Sequence, residues 1–509
     1  MTSKTVKDLE LPMNEMRLNP LSLEEAKSVL VSRVYDQNVL RKLSKTDEIA
    51  ELCGFVPLAL GIIGSLLSDY SEEELIKRLK EPSSRVLEAD QLPVEKAIKT
   101  SFDLLTEDER HALVLMSVFP GSFDSYAAEV ILRACKSYEG PPISILDSLK
   151  HRSLVEQPSP QRYQLHSLIK TFAEKVDRSA EALVLEEGEK EACVHYMSRL
   201  ATDADCYWGK DTCKKSLDSF NEDRHNFEHF LDVFIQWRES EGDMAMKSCE
   251  AFFVNLPQKC MYLEICVLPK FYTDFLQKLH EAKNPELPPV NKVEILCLLG
   301  HEMRKKGNKV EYRNLMKKAD DLYEETKFNM SPLSKVIYLN SRDRFTIDES
   351  SSEPKGMYVE ALELCEKELP NHPEYVATIL YTATSANRQG NHTKSKEKRN
   401  QALALSETIL GKHAMTARCY KAIAELMKKE ELFPGALSFY EKCLEMYKDL
   451  GLEGCKETIN PLRNYGSCLR RNGKYKEARE IFEKAKRIAE RDLEKNHRWT
   501  AMVKTTQNN

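Results

Sequence analysis

Apolar residues recur every three or four positions along most of this chain, a pattern that predicts α-helices. Near the N-terminus, Ser22 and Glu25 have the spacing of a capping box, which predicts the start of a helix. Residues 58–67 are almost wholly apolar, and a helix of that kind must be buried among others. The pattern predicts a helical domain over residues 18–88, preceded by a tail of residues 1–17.

The pattern changes after residue 89. Short helices are predicted at 97–104, 109–117, 125–135 and 142–150, and two alternating segments, 153–157 and 162–166, flank the turn-forming Pro158-Ser159-Pro160. Two short alternating segments around such a turn predict a β-hairpin. Helices followed by a hairpin are the parts of a winged helix, so residues 89–180 are predicted to form one.

The C-terminal half has an internal repeat. Its clearest unit places small residues at Gly466, Ala478 and Ala485 and an aromatic residue at Phe482, around a turn at 472–473. Small residues at helix crossings and an aromatic residue between helix pairs are the tetratricopeptide (TPR) signature. Equivalent positions are separated by 34, 41 and 42 residues; these are Ala361, Ser395, Ala436 and Ala478.

The repeats predict a TPR solenoid over residues 291–495 and a tail over 496–509. Residues 181–290 are predicted to be a helical linker with degenerate repeats, including helices at 186–205 and 215–237. The fold class is therefore mainly α: a helical domain and a winged helix with one small β-hairpin, followed by a TPR-type α-solenoid.

Four ordered motifs resemble the NB-ARC class of signal-transducing NTPases, which includes plant disease-resistance and animal apoptosome proteins. Residues 54–60 (GFVPLAL) resemble that family's GLPLA stretch, and residues 18–26 resemble the entry into its first helical domain. Residues 101–120 resemble its segment ending in FP, and residues 163–168 (YQLHSL) resemble its Y.MHDL motif. The resemblance covers the helical and winged-helix domains only.

The resemblance implies two nucleotide contacts. Pro57 matches the family's proline beside adenine, and His166 matches the histidine that reaches the β-phosphate of ADP. The aspartate that follows this histidine in the family is Ser167 here, which removes a carboxylate that would orient the ring. The residues by themselves allow a plainer interpretation, in which Pro57 starts a helix and His166 caps one.

A nucleotide-binding P-loop needs the pattern GxxxxGK[ST] after an apolar strand, and the sequence has no such string. We expect that the chain lacks the ATPase domain, either as a partial product or as a descendant that discarded it, and that ADP or ATP binds only if a P-loop domain is supplied. There is no HExxH, no GxSxG and no cluster at zinc-ligand spacing. No catalytic residue, no metal site and no enzymatic activity are predicted.

Charge and cysteine content limit the kinds of binding partner and the cellular compartment that the sequence favours. The net charge of −6 over 509 residues excludes a generally basic nucleic-acid binder, but residues 371–509 carry 26 Lys and Arg against 17 Asp and Glu. This excess favours either a groove for an acidic protein or peptide or simply a solvated helix face. The 14 cysteines include no CxxC pair, and no 18-residue apolar run occurs. A cytoplasmic protein that does not cross a membrane is expected.

The first functional hypothesis is a non-catalytic signalling adaptor. Its TPR repeats would bind a protein or peptide, and its NB-ARC remnant would be a regulatory module in a stress, innate-immune or apoptosis-like pathway. The alternative is an ADP-binding NB-ARC switch whose P-loop domain is missing from this chain. A winged-helix DNA-binding regulator is the second alternative, disfavoured because only Lys150, Arg152 and Arg162 are basic near the recognition helix and wing. Self-association is left open.

Overall fold

The computed structural model describes residues 20–81, 92–134, 141–175, 178–283, 286–349 and 356–493. The predicted tails, 1–17 and 496–509, lie outside the described residues. The chain divides into an N-terminal unit, Met1–Glu191, and a C-terminal unit, Ala192–Asn509.

The described part of the N-terminal unit, from residue 20, starts with five short helices. Ser22 and Glu25 form the predicted capping box, with the Ser22 amide donating to the Glu25 carboxylate at 2.8 Å. Pro57 occupies the first turn of the apolar helix, eight residues of which are buried, so this helix forms the core of the predicted helical module. The helices are α1 Leu23–Ser32, α2 Gln37–Leu40, α3 Thr46–Leu52, α4 Pro57–Leu66 and α5 Glu72–Lys80.

The rest of this unit combines helices with a small antiparallel sheet. A hairpin is present as β2 Glu156–Ser159 and β3 Arg162–Gln164. Its turn lies later than the predicted Pro158-Ser159-Pro160, since Pro158 and Ser159 belong to β2 and Gln161, with φ of 65°, makes the turn. A third strand, β1 Phe123–Asp124, pairs with β3 through Phe123 and Tyr163. This strand was not predicted, since residues 123–124 lie between the predicted helices 109–117 and 125–135. The helices are α6 Leu92–Asp103, α7 Glu107–Met116, α8 Ser125–Ala134, α9 Pro142–His151 and α10 Ser167–Lys175.

The prediction of a single helix at 215–237 is wrong, because the buried Asp223 interrupts the helix. The Asp223 carboxylate accepts hydrogen bonds from Arg199 at 2.5 Å and from Asn226 at 3.1 Å, and these bonds hold a non-helical backbone between two helices. This region contains α11 Arg178–Tyr207, α12 Cys213–Glu222, α13 Arg224–Ser240, α14 Gly242–Ser248, α15 Glu250–Phe253, α16 Leu256–Cys266 and α17 Pro269–Glu281.

Successive helices then pack as pairs, as the repeat pattern predicts. In the last two pairs, Ala436, Ala478 and Phe482 pack in one buried cluster, which explains why small and aromatic residues alternate at the repeat positions. The helices are α18 Pro289–Lys306, α19 Lys309–Thr326, α20 Pro332–Glu349, α21 Met357–Glu368, α22 Pro373–Arg388, α23 His392–Ile409, α24 Ala414–Lys429, α25 Phe433–Asp449, α26 Ile459–Arg471 and α27 Tyr475–Asp492.

Candidate functional site

The two residues singled out by family resemblance both lie in the N-terminal unit. Pro57 is exposed at the first turn of α4. His166 is half-buried just before α10, and its Nδ1 atom accepts the Leu168 amide hydrogen at 3.2 Å. Within the described residues, no hydrogen bond or ring contact joins Pro57 to His166. Each side chain thus has a local structural role, and their part in nucleotide binding stays a prediction.

A larger candidate site lies inside the C-terminal unit. A cavity of 320 Å³ is lined by side chains from α16, α18, α20, α22, α24 and α25. Six of the lining residues carry a positive charge, and four are glutamates. The cations are Arg304, Lys305, Arg344, Arg418, Lys421 and Lys456, and the carboxylates are Glu264, Glu302, Glu374 and Glu457.

Lysines neutralise three of the four carboxylates. Lys305 contacts Glu264 and donates to Glu302 at 2.7 Å. Lys456 lies 4.0 Å from Glu457. Burial raises the pKa of Glu264, but the ammonium groups of Lys305 and Lys456 outweigh that effect and lower the pKa to about 2. Glu264 therefore remains ionised, and Lys305 and Lys456 are paired with carboxylates and are not left over for a ligand.

The fourth carboxylate belongs to a hydrogen-bonded chain that leaves one acceptor over. Asn340 Nδ2 donates to Glu374 and to Thr378 Oγ1, at 2.9 Å each, which fixes the orientation of the Asn340 amide. Its Oδ1 atom is buried without a partner, although the residue lines the cavity and is 2% exposed. Leaving a buried acceptor unsatisfied costs about 1–3 kcal/mol.

Arg418 and Lys421 carry positive charge that no described carboxylate matches. Both lie on α24 and line the cavity, and neither is within ion-pair distance of an Asp or Glu of the described chain. The Arg418 side chain is exposed to the cavity. The cavity therefore offers fixed positive charge to whatever enters it.

One side of the cavity is formed by segments that are distant in sequence. The Lys412 amide donates to Asp211 Oδ1, 201 positions away, at 2.9 Å, and the Asp211 amide donates to the Leu410 carbonyl at 2.9 Å. His413 Nε2 donates to the Tyr207 carbonyl at 3.0 Å. We call these bonds between residues 207–211 and 410–413 the closing contact. Tyr207 and His413 also line the cavity, so the closing contact shapes the site.

The sequence did not predict this cavity. The predicted basic groove lies in the last repeats, and three of the lining cations, Arg418, Lys421 and Lys456, fall within its range, residues 371–509. Asn340 and Arg344 lie outside that range. The sequence feature that could have indicated these residues is their spacing. Asn340 and Arg344 are four positions apart and Arg418 and Lys421 are three apart, so each pair shares one face of its helix.

The described residues show no other obvious kind of site. None of the described helices has an apolar stretch long enough to cross a bilayer. Over the same part of the chain, no group of three or more His, Cys, Asp or Glu side chains is arranged to hold a metal ion. The cysteines Cys260 and Cys266 are buried, and burial raises the pKa of both thiols, so neither is a reactive thiolate.

Comparison with known proteins places the repeats. Residues 375–449 and 457–506 match the tetratricopeptide repeat family. The prediction of TPR repeats is thus confirmed, and the predicted bounds of the solenoid, 291–495, stay a prediction.

Similarity to individual proteins is low but extends to regulatory proteins. The regulatory protein AfsR of Streptomyces griseus is 25% identical over 261 residues, which cover 49% of this chain and 26% of the relative. A putative disease resistance protein of Arabidopsis thaliana is 26% identical over 153 residues, covering 28% of this chain and 13% of the relative. These relatives bear out the predicted resemblance to NB-ARC-type signalling proteins. The chain spans about a quarter or less of the length of the curated relatives it matches.

Among solved structures, the chain is similar to a Signal Transduction ATPase with Numerous Domains (STAND) protein with a tetratricopeptide repeat sensor from Pyrococcus horikoshii. The alignment has a TM-score of 0.47 and 15% identity and covers 97% of this chain and 70% of that one.

Proposed function

We propose that this protein is a non-catalytic signalling regulator whose C-terminal unit binds an acidic segment of a protein or peptide partner. The observation that carries the proposal is the cavity inside the repeats, in which the positive charges of Arg418 and Lys421 have no carboxylate partner among the described residues. TPR repeats are interaction modules that present a concave binding surface, and regulatory proteins are among the low-identity relatives.

The charges of the cavity favour an acidic segment. Its side-chain carboxylates would form ion pairs with Arg418 and Lys421.

In this proposal the N-terminal unit is a regulatory module. Its helical domain, residues 18–88, and its winged helix, residues 89–180, would transmit the state of the TPR region, residues 291–495. The pathway, whether stress, innate immunity or an apoptosis-like response, and the cytoplasmic location belong to the same proposal. The ADP-binding switch and the DNA-binding regulator remain alternatives with no contact in the structure that favours them.

The proposal is tested with the full chain and a short fluorescent peptide rich in Asp and Glu, measured by fluorescence anisotropy. A matched peptide with Asn and Gln in place of Asp and Glu shows how much of the binding depends on the negative charges of the peptide. We expect binding of the acidic peptide alone, weakening as salt rises, because charge pairs are screened beyond about 10 Å at 0.1 M ionic strength.

Two substitutions localise the binding. Lys421→Gln removes a cavity charge and should weaken the acidic peptide about tenfold, the typical value of one charged hydrogen bond. Arg479→Gln removes an exposed charge outside the cavity and should leave binding unchanged. Equal binding of the two peptides, or equal effects of the two substitutions, would overturn the proposal.

A further inference from the structure

A short basic segment lies between α2 and α3 of the N-terminal unit. Arg41 and Lys42 are followed, after Leu43, by Ser44, and residues 43–45 have no regular secondary structure. The side chains of Arg41, Lys42 and Ser44 are exposed. In the whole sequence, no other serine or threonine has Lys or Arg at both the third and the second position before it. The segment therefore presents one hydroxyl group behind two accessible positive charges.

A glutamate of α5 holds the backbone of this segment. Glu72, which is 9% exposed, accepts the amide hydrogens of Ser44 at 2.9 Å and of Lys45 at 2.7 Å. The Ser44 hydroxyl also donates to Glu72, at 3.2 Å. This distance is longer than is usual between two oxygens of a hydrogen bond, so the hydroxyl is held weakly. The backbone is thus anchored to α5, while the Ser44 hydroxyl remains accessible.

We propose that Ser44 is a phosphorylation site for a serine kinase that recognises basic residues before its acceptor. Kinases select substrates by charge pattern, and acidic residues of the kinase would pair with Arg41 and Lys42. The γ-phosphoryl group of ATP is transferred to Ser44 Oγ. The bond between the γ-phosphorus and the bridging oxygen breaks, its electron pair stays on ADP, and the hydroxyl proton passes to a base of the kinase.

Phosphorylation would act on the contact with Glu72. A phosphoserine carries a charge of about −1.5 to −2 at pH 7, and a carboxylate a few ångströms away repels it. The hydrogen bonds from the Ser44 and Lys45 amides to Glu72 should therefore loosen. Lys45 is already paired with Glu73 at 2.7 Å, so exchanging that carboxylate for the phosphate gains little. The modification thus releases the segment from α5 and loosens the start of α3.

The site is tested on the folded full chain with ATP and the catalytic subunit of the cAMP-dependent protein kinase, which prefers basic residues before its acceptor. Mass spectrometry of proteolytic fragments locates the phosphate. We expect Ser44 to be modified, and Ser44→Ala to lose that incorporation. Arg41→Gln should slow the modification about tenfold, the typical value of one charged hydrogen bond.

Ser216 is the control within the same chain. It also follows two basic residues, Lys214 and Lys215, but it is 1% exposed, and its hydroxyl donates to the Asp203 carbonyl at 2.6 Å. It should stay unmodified as long as the chain is folded. Circular dichroism shows that each variant is folded.

The effect on the fold is measured by amide hydrogen exchange of the phosphorylated and unphosphorylated chains. Exchange should be faster over residues 44–52 after phosphorylation and unchanged in α7. Glu72→Gln removes the repelling charge but keeps the shape, so the increase caused by phosphorylation should be smaller in that variant. If Glu72→Gln does not fold, salt replaces it: at about 0.5 M ionic strength the repulsion is screened and the increase should shrink.

No phosphate on Ser44, the wild-type level of incorporation in Ser44→Ala, or an unchanged rate in Arg41→Gln would overturn the assignment of the site. Unchanged exchange over residues 44–52, or an increase that is equally large without the Glu72 charge and at raised salt, would overturn the release from α5. The inference does not depend on the acidic-peptide site in the repeats, so its failure would leave the proposed function standing.

Discussion

At the scale of single residues, burial changes the protonation of His413. His413 is fully buried, and both of its ring nitrogens are used: Nε2 donates to the Tyr207 carbonyl, and Nδ1 accepts the Met415 amide hydrogen at 2.9 Å. Only the neutral ring can make both bonds. Burial is the main reason that the pKa of His413 falls to about 3.

The pKa of His413 is lower in the folded than in the unfolded state, so acid favours unfolding. The free energy of unfolding therefore decreases as the pH falls below about 6.5. We predict that the loss of unfolding free energy between pH 7.5 and pH 5 is about 2 kcal/mol smaller in His413→Gln than in the wild type. Urea unfolding at both pH values measures it. The exposed His225→Gln serves as the control, and a wild-type loss no larger than that of His413→Gln would contradict the prediction.

Weak binding of ADP is also predicted from single residues, His166 and Ser167. His166 Nδ1 already accepts a backbone hydrogen bond, and Ser167 cannot orient the ring as a carboxylate would. A few exposed contacts do not offset the entropy that a small ligand loses on binding. We predict that the purified chain binds ADP no tighter than about 1 mM and hydrolyses no ATP. Calorimetry tests this, and micromolar affinity that disappears in His166→Ala would contradict it.

At the scale of elements, the helix pairs depend on small residues where the two helices cross. A Cβ atom on Gly466 would lie 2.8 Å from the ring of Phe482 on the next helix, closer than real contacts allow. Another repeat position departs from the usual aromatic residue: Arg399 is buried, donates to Ser395 Oγ at 3.3 Å and also contacts the Ala422 carbonyl. Its charge is thus satisfied by hydrogen bonds where other repeats have a ring.

Overpacking at the crossing gives the element-scale prediction. Gly466→Leu should lower the free energy of unfolding by about 1–3 kcal/mol, because the helices must separate to admit the side chain. Gly454→Leu is the matched control, since a Cβ atom there would meet only Arg491 at 3.9 Å. Thermal denaturation of the full chain followed by circular dichroism compares them. Equal melting temperatures for Gly466→Leu and the wild type would count against this packing.

At the scale of the whole molecule, the C-terminal unit is held by its closing contact as well as by neighbouring pairs. Besides the bonds between residues 207–211 and 410–413, Lys456 donates to the Glu264 carbonyl at 2.6 Å across a similar distance in sequence. A repeat array normally has contacts only between neighbouring repeats. These long-range contacts should therefore make the unit more cooperative than an open array.

Gly411 provides the test of the closing contact. Its φ is 63°, and an added Cβ atom would lie 2.1 Å from Asp211 Oδ1. Gly411→Ala should open the contact and raise amide hydrogen exchange at residues 207–212 and 410–416. Gly390→Ala is matched for backbone strain, since its φ is 79°, but has nothing within 4 Å of the added atom. If both variants exchange alike, strain alone is responsible and the contact is not a constraint.

Local chemistry in the sequence determined the elements that depend on neighbouring residues. The capping box at Ser22, the proline at the start of α4, the existence of the hairpin (though not the position of its turn) and the small residues of the last repeats each depend on a few positions or one helix pair. Periodicity and turn chemistry are sufficient there, and the TPR assignment followed from them.

Only the tertiary structure decided the features whose partners are distant in sequence. β1 exists because Phe123 pairs with Tyr163, and α12 ends where Arg199 binds Asp223. The cavity, its arginines and the closing contact combine helices separated by tens to hundreds of residues. Which charged face of each helix turns inward depends on how successive pairs stack, and helical periodicity within one segment carries no information about that stacking.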